Sequence, residues 1–454
     1  MSPPRTPGRT DPMDAPGTQS VWELAWPSMA LFALHALVGI VDLVFVGSLG
    51  TQAVASVGVA SQLHFFLFGL MAAVTMGTVA LVARASGAGN WNEVGAVTHA
   101  SVLLAVAIAA VAMLAIPAAR SLVGLLGVEP AVATLGGECL RILFAFNVPF
   151  AVGVTISMAL RGAGDVRTPL AVGIAVNAIN IVADYVLIFG KFGAPVMGPQ
   201  GSALASGIAF TSGMLLLSWL WLRNHLVIPR GPWLATLTRT RCRRILRIGI
   251  PTALEQAAWH IGLLLFLGIV ANFGTEPVSA YMIGVRILSF CFVPGLGFST
   301  AASILVGQNL GAGRPDRAAH SGWRASVGAV LVMGAVGLLI IALAPSLAGW
   351  FGSAGETTTN LAVTFIYILG AAQPLMAVEF ALGGALRGAG DTRFPLVAIL
   401  TGLFVFRLGA AIFIAGPIFG TVTAVWCCLI ADYAVKAAML AWRFANGRWK
   451  RVEV

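Results

Sequence analysis

The chain has 454 residues, of which 58% are hydrophobic and only 10% are charged, and its formal net charge is +10. A soluble globular chain is about one quarter charged, so the charges here are too few to solvate several compact domains. This composition excludes a soluble multidomain protein. It predicts an all-α integral membrane protein, because backbone groups without hydrogen bonds are not tolerated in lipid.

Residues 1–20 are rich in proline and lack an apolar run, which predicts a disordered leader and not a signal peptide. Twelve apolar segments follow, each near the ~20 residues that cross a bilayer as a helix. The predicted spans are 24–48, 56–83, 95–118, 134–156, 169–190, 200–222, 248–272, 279–306, 321–344, 361–384, 394–416 and 419–442. We therefore expect a six-helix lobe at 21–222, a basic cytoplasmic linker at 223–247, a second six-helix lobe at 248–444 and a basic cytoplasmic tail at 445–454.

The basic residues are distributed unevenly between the two sets of loops. Most of the 27 Lys and Arg residues lie in the termini and in alternate loops, whereas the opposite loops hold only Arg120 and Lys191. The positive-inside rule then predicts a multi-pass protein of the cytoplasmic (inner) membrane with both termini in the cytoplasm. This distribution also explains the net positive charge without a nucleic-acid partner.

The two halves of the chain repeat each other. The segment ALRGAGDVRTPL at 159–170 recurs as ALRGAGDTRFPL at 385–396, and Pro27 and Gly50 recur as Pro251 and Gly274. One repeat unit contains six predicted helices, and an even number of spans gives both halves the same orientation. We therefore expect two pseudo-symmetric six-helix bundles related by an axis along the membrane normal, the parallel-repeat plan of some transporters.

The repeated LRGAGD segments at 160–165 and 386–391, here called the loop motif, follow the fourth and tenth predicted spans. A structural role is favoured, because glycines permit a tight connection between helices and charged residues can cap helix ends. The motif residues are Arg161, Gly162, Gly164 and Asp165 in the first copy and Arg387, Gly388, Gly390 and Asp391 in the second.

Four acidic residues lie well inside predicted spans, namely Asp42, Asp184, Glu255 and Glu379. A charge at the bilayer centre costs at least ~2.5–3.5 kcal/mol on insertion scales, so each of them requires an explanation. None of the four recurs at the equivalent position of the other half. The symmetric scaffold therefore does not require them, and their asymmetry favours a function.

The two acids of the first half have polar neighbours. Asp42 and Asp184 are each expected ~9 Å below the outer interface. Asn177, Asn180 and Asp184 are spaced i, i+3, i+7 on one helix face, and Ser206 enters the sixth span at a matching depth. Such an oxygen-rich group predicts a coupling site for H+ or Na+, with possible Na+ ligands at Asp42, Asn180 and Asp184. A polar network that only joins helices is the alternative.

The second half offers Glu255, Glu379 and Arg407 as secondary candidates. Arg407 is predicted in the middle of a span, where it needs a partner, and Glu379 in the preceding span is the expected one. A structural ion pair and a second proton or substrate site remain open alternatives. The sequence contains no P-loop, GxSxG or HExxH motif, so we expect neither an enzyme nor a cofactor other than the coupling ion.

Several segments match a known pattern: WPSMA (26–30), IPTALEQ (250–256), VDLVFVGSLG (41–50), both loop motifs, NAINIVADYVLIFG (177–190) and GSALAS (201–206). With the twelve-span plan, they resemble the multidrug and toxic compound extrusion (MATE) family over residues 20–445. The chain is most similar to the DinF-like branch, whose implied cation site matches Asp42, Asn180, Asp184 and Ser206. The resemblance implies a monomer in the lipid bilayer that exports amphipathic, often cationic organic compounds in exchange for H+ or Na+ by alternating access.

Two other transporter classes have similar span plans. A lipid-linked oligosaccharide flippase of the same superfamily remains the alternative, and it would have a more cationic cavity, for which only Arg407 and Arg286 qualify. A major-facilitator transporter would carry a GxxxDRxGRR-like loop after its second span, and RASGAGNWNEV at 84–94 does not match that pattern.

Overall fold

The computed structural model describes residues 19–230, 236–349 and 355–452, and within these ranges every regular element is a helix. The predicted disordered leader falls almost entirely in residues 1–18, outside the described residues. Backbone proximity divides the described chain into two units. The first unit contains Ala30–Ile250, and the second contains Gln19–Met29 together with Pro251–Val454.

Eight α-helices begin before residue 200, and all of them except the start of the first lie in the first unit. They are α1 (Val21–Gly47), α2 (Thr51–Gly87), α3 (Trp91–Met113), α4 (Ala119–Gly124), α5 (Pro130–Ala145), α6 (Asn147–Gly162), α7 (Arg167–Phe189) and α8 (Pro199–Leu222). The seventh span is predicted to begin at residue 248. The helix that forms it begins nine residues earlier, at Arg239, which belongs to the first unit.

The remaining helices form the second unit apart from the first turns of α9. They are α9 (Arg239–Ala271), α10 (Thr275–Gly311), α11 (Pro315–Ala342), α12 (Ala344–Gly349), α13 (Glu356–Gly388), α14 (Arg393–Leu400) and α15 (Val422–Ala445). Between α14 and α15 the backbone is π-helical over Thr401–Gly409 and Ala411–Phe419.

The described residues contain eleven helices long and apolar enough to cross a membrane, and the bent pair of α5 and α6 makes a twelfth span if counted as one. This confirms the predicted all-α membrane protein with twelve spans. The fourth span, predicted as continuous, is bent by 53° between its two helices. Pro149 accounts for the bend, because its ring nitrogen cannot donate to the carbonyl of Ala145.

Helices α7 and α8 pack closely because α8 presents a stripe of small residues to α7. The stripe consists of Gly201, Ala205, Ala209 and Gly213. A Cβ atom on Gly201 would lie 2.7 Å from the carbonyl carbon of Leu187, and one on Gly213 would lie 3.0 Å from Cγ2 of Val176. In membrane proteins such stripes let backbones approach and gain van der Waals contact. The two contacts also show that α7 and α8 run antiparallel.

The two copies of the loop motif end their helices with the same turn. In residues 160–165 the N–H of Gly164 donates to the carbonyl of residue 161 at 2.8 Å, and the N–H of Asp165 donates to that of residue 160 at 2.9 Å. Residues 386–391 repeat both bonds. This is a Schellman turn, which requires a positive φ, and φ is +94° at Gly164 and +86° at Gly390.

Gly388 of the loop motif lies against α10, where an added Cβ would clash with the carbonyl oxygen of Ser303. We expect Gly388→Ala to lower the free energy of unfolding by about 1–3 kcal/mol, because neither backbone can move without disturbing the core. Thermal unfolding in detergent measures this loss. Gly268→Ala in α9 is the matched control, since its Cβ would meet nothing within 4 Å. Equal melting temperatures for the two variants would contradict the prediction.

Candidate functional site

Asp42 in α1 and Asp184 in α7 form a carboxyl pair, here called the acid pair, with their side chains at hydrogen-bonding distance. Asp184 is completely buried and Asp42 is half-buried. Both oxygens of Asp184 and Oδ1 of Asp42 receive no hydrogen bond from any other described group. Ionised carboxylates can only accept hydrogen bonds, so two of them in contact require a proton or a cation between them.

Asp42 and Asp184 meet at one of two contacts between α1 and α7. Leu31 contacts Gly173 near the start of α7, where an added Cβ would clash with the leucine side chain. The same offset of 142 residues separates Leu31 from Gly173 and Asp42 from Asp184. The two helices therefore run in the same direction between these two contacts, and Asp42 and Asp184 lie at one level where their side chains meet.

The other predicted site residues are Asn177 and Asn180 in α7 and Ser206 in α8. Asn177 and Asn180 are buried on the same face of α7 as Asp184, and the amide nitrogen of each has no hydrogen-bond partner among the described residues. Ser206 in α8 is half-buried, and the antiparallel packing of α7 and α8 brings it close to the level of Asp184. No hydrogen bond joins Ser206 to either acid in the described part of the chain.

Glu255 forms an ion pair with the second copy of the loop motif. Its Oε1 accepts a hydrogen bond from Nη1 of Arg387 at 2.7 Å, and Nη2 of that arginine donates to Oγ of Ser299 at 3.2 Å. Glu255 is buried, so the arginine compensates a charge that would otherwise be costly in the membrane.

The expected pairing of Glu379 with Arg407 is wrong. Arg407 pairs instead with Asp432 at 2.5 Å, and Glu379 pairs with Nζ of Lys436 at 3.0 Å. Lys436 also lies 3.3 Å from Asp432, which joins the four side chains into one cluster. The physical reason is that α15 packs against both α13 and the π-helical segment, so it supplies a nearer partner to each charge.

Sequence reasoning overlooked Asp432 and Lys436. Both lie inside the predicted span 419–442, and their i, i+4 spacing is the signal that could have revealed an ion pair on one helix face. Lys436 and Arg407 also contact the ring of Tyr433, at 4.0 and 5.1 Å from its centroid. These cation–π contacts add to the burial of the cluster.

The intramembrane acids of the two units differ in whether they have cationic partners. In the second unit Glu255, Glu379 and Asp432 each have a cationic partner. In the described part of the first unit neither Asp42 nor Asp184 forms an ion pair with Lys, Arg or His. The acid pair is thus a buried negative site that a proton or a small cation can compensate.

Comparison with known protein families shows to which family the chain belongs. The MatE family model matches residues 27–186 and 251–413. The chain belongs to the MatE family. This membership confirms the resemblance to MATE transporters and makes the protein a multi-pass membrane transporter, whereas the assignment to the DinF-like branch stays a prediction.

Relatives and solved structures of the MatE family cover nearly the whole chain. The chain is 29% identical to a probable multidrug resistance protein NorM of Thermotoga maritima, over 94% of this chain and 92% of that protein. It is 28% identical to the multidrug resistance protein NorM of Burkholderia vietnamiensis, over 89% and 88%. A MOP superfamily transporter from Pyrococcus furiosus is 21% identical, covers 95% of this chain and 97% of its own, and superposes with a TM-score of 0.88, which shows a shared fold.

Proposed function

We propose that this transporter works as a monomer and exports amphipathic, often cationic organic compounds in exchange for H+ or Na+ by alternating access. The observation that carries the proposal is the buried acid pair of Asp42 and Asp184, which has no cationic partner among the described side chains. Intramembrane acids of this kind mark ion pathways. The relatives named as multidrug resistance proteins support the substrate class.

The acid pair can couple the two fluxes through its charge. An ionised pair attracts a cationic compound electrostatically, and this attraction is strong in a low-dielectric site. Binding of H+ or Na+ removes part of that negative charge and so weakens the attraction. Ion entry and substrate release are therefore linked, as an antiporter requires.

The compensated charges of the second unit favour the first unit as the coupling site. Glu255 and Glu379 both pair with basic residues, so neither requires a mobile cation. This contrast supports the site residues of the DinF-like branch. It also weakens the flippase alternative, because Arg407 is neutralised by Asp432 and does not supply a free positive charge for a pyrophosphate.

The proposal is tested with purified protein in proteoliposomes, with ethidium as a fluorescent cationic probe. We expect an imposed pH gradient or Na+ gradient to drive ethidium movement, and an ionophore that collapses that gradient to stop it. Separate gradients identify the coupling ion. If neither gradient moves the dye through correctly inserted protein, the proposed function is rejected.

We also propose that both termini and both loop motifs face the cytoplasm of a cell whose inner membrane holds the protein. Arg167 and Arg393 are exposed equivalents just after the two loop motifs, and Lys191 is exposed on the expected outer side. In a background with Cys242 and Cys427 replaced by serine, we expect cysteines at 167 and 393 to resist an impermeant maleimide in intact spheroplasts. A cysteine at 191 should react there. Reaction at 167 from outside would reverse the proposed orientation.

A further inference from the structure

The two loop-motif arginines, Arg161 and Arg387, are equivalent in the repeat but differ in their partners. Arg387 pairs with Glu255 and also donates to Oγ of Ser299. The guanidinium of Arg161 forms neither an ion pair nor a hydrogen bond with any residue that the structure describes. The first copy of the loop motif therefore contains a cation that no described acid compensates.

The repeat itself explains why the two arginines differ. Helix α10 begins and ends 224 residues after α2, so this offset relates the early helices of the two units. With the same offset, Leu31 is the counterpart of Glu255, and the first unit has an apolar residue where the second has an acid. Thr75 is the counterpart of Ser299, but its hydroxyl donates to the carbonyl of Met71 at 3.1 Å.

The guanidinium of Arg161 lies inside the membrane-spanning part of the first unit. Arg161 is only 5% exposed, and its guanidinium carbon lies 5.5 Å from the centre of the Phe32 ring in α1. Phe32 is eight residues, or about 12 Å, inside the predicted span that begins at residue 24. The headgroup layer on each side of a bilayer is only about 5–8 Å thick, so a lipid phosphate does not reach this level.

A guanidinium buried at this depth requires an anion as its partner, because desolvation of an unpaired charge is costly. The ring of Phe32 attracts the cation but does not neutralise its charge. Asp165, the acid nearest to Arg161 in sequence, accepts a hydrogen bond from the N–H of Thr168 at 2.9 Å and forms no ion pair within the described ranges. His35 lies within electrostatic reach but supplies no negative charge.

The guanidinium of Arg161 remains accessible although it is buried. Its nitrogens retain accessible surface, whereas Nε of Arg407 has none. The neighbouring side chain of His35 is exposed inside a membrane span. Ionisable side chains in spans face the bundle interior or a water-filled space, so His35 indicates the side from which an anion reaches the arginine. The imidazole can donate a further hydrogen bond to that anion.

We propose that Arg161 is a substrate-binding residue that takes a carboxylate group of the transported compound. The inference rests on the proposed export function and specifies, as preferred substrates, amphipathic compounds that carry a carboxylate, zwitterions included. A guanidinium holds a carboxylate through two parallel N–H···O bonds. One arginine compensates one negative charge, which matches a carboxylate, whereas a pyrophosphate would keep charge without a partner.

Two dyes test this site: tetramethylrhodamine with its free carboxylate, and the methyl ester of the same dye. Both carry the same cationic ring system, so only the anionic group differs. We expect the purified transporter to bind the free acid about 10- to 100-fold more tightly, the usual contribution of hydrogen bonds to a charged group. Arg161→Gln should remove this preference and change the affinity for the ester less than about twofold. Fluorescence anisotropy measures both affinities.

Leu31→Glu tests the same site without removing the arginine. It introduces into the first unit the acid that Glu255 supplies in the second, so Arg161 gains a partner within the chain. The free-acid dye should then bind no more tightly than its ester. Arg167→Gln, at an exposed arginine just after the loop motif, is the matched control and should keep the wild-type preference.

The outcomes separate this inference from the proposed function. Equal affinities of the wild type for the two dyes, or a preference that survives in Leu31→Glu, overturn the carboxylate site even if an ion gradient moves ethidium. A folded Arg161→Gln variant that keeps the preference overturns it as well. If the variant does not fold, the wild type and Leu31→Glu decide the question. A wild type that moves neither ethidium nor the free-acid dye under any gradient rejects the proposed export and, with it, a transported compound as the ligand.

Discussion

We expect Asp184→Asn to abolish ion-driven ethidium movement, whereas the variant should insert and fold like the wild type. The amide keeps the shape of the side chain but removes the charge that a proton or Na+ compensates. A hydrogen bond to a charged group contributes about 1.5–3 kcal/mol, so cation binding should weaken about 10- to 100-fold. Removing a buried charge also lowers the cost of insertion, so the fold is spared. Transport per inserted molecule, measured in proteoliposomes, checks this expectation.

Two companion variants make this first result specific. Asp42→Asn should lose transport in nearly the same way, because it removes the other half of the acid pair. Glu379→Gln should reduce the amount of folded protein more than its turnover, since it weakens the pairing of buried Lys436. Normal turnover in Asp42→Asn together with an inactive, well-inserted Glu379→Gln would move the coupling site to the second unit.

Asp432→Leu should cause the largest loss of stability. The substitution leaves Arg407 without its partner and removes one of the two carboxylates that hold Lys436. Breaking one side of a buried pair costs about 3–5 kcal/mol, because the remaining charge is uncompensated. We expect a strongly lowered melting temperature in detergent and a reduced yield from the membrane.

The control for this second result removes both partners. The double variant Arg407→Met with Asp432→Leu removes one positive and one negative buried charge together. Lys436 keeps Glu379 as its partner. Replacing a buried ion pair by apolar side chains is often neutral or stabilising, so the double variant should recover most of the lost stability. A double variant no more stable than Asp432→Leu would contradict the assigned pairing.

The sequence predicted the N-terminal acids better than the C-terminal charges for a structural reason. Asp42 and Asp184 occupy regular helices that run parallel, so counting residues from the expected span ends places them at one level. Arg407 lies in π-helical backbone, where a period of 3.6 residues no longer describes which side chains share a face. Its partner, Asp432, lies on α15, and the packing of α15 against this segment cannot be read from any local sequence pattern.

The loop motifs and the bent fourth span also show that features with a local cause are predictable, whereas features set by neighbouring helices are not. Two closely spaced glycines before an aspartate predict a tight turn because the conformational demand is local, and both copies form that turn. The bend at Phe146 also has a local cause in Pro149. Its direction and its size of 53° depend on the neighbouring helices, which the sequence does not specify.

Within residues 19–452, as far as the structure describes them, the chain passes between its two units inside helices. One passage lies between Met29 and Ala30 in α1, and the other between Ile250 and Pro251 in α9. Pro27 and Pro251 lie at these passages, and each removes a backbone hydrogen bond from its helix. The same two helices carry Asp42 and Glu255. Each of these acids thus follows a proline in its own helix, so a bend of the helix at that proline displaces the acid.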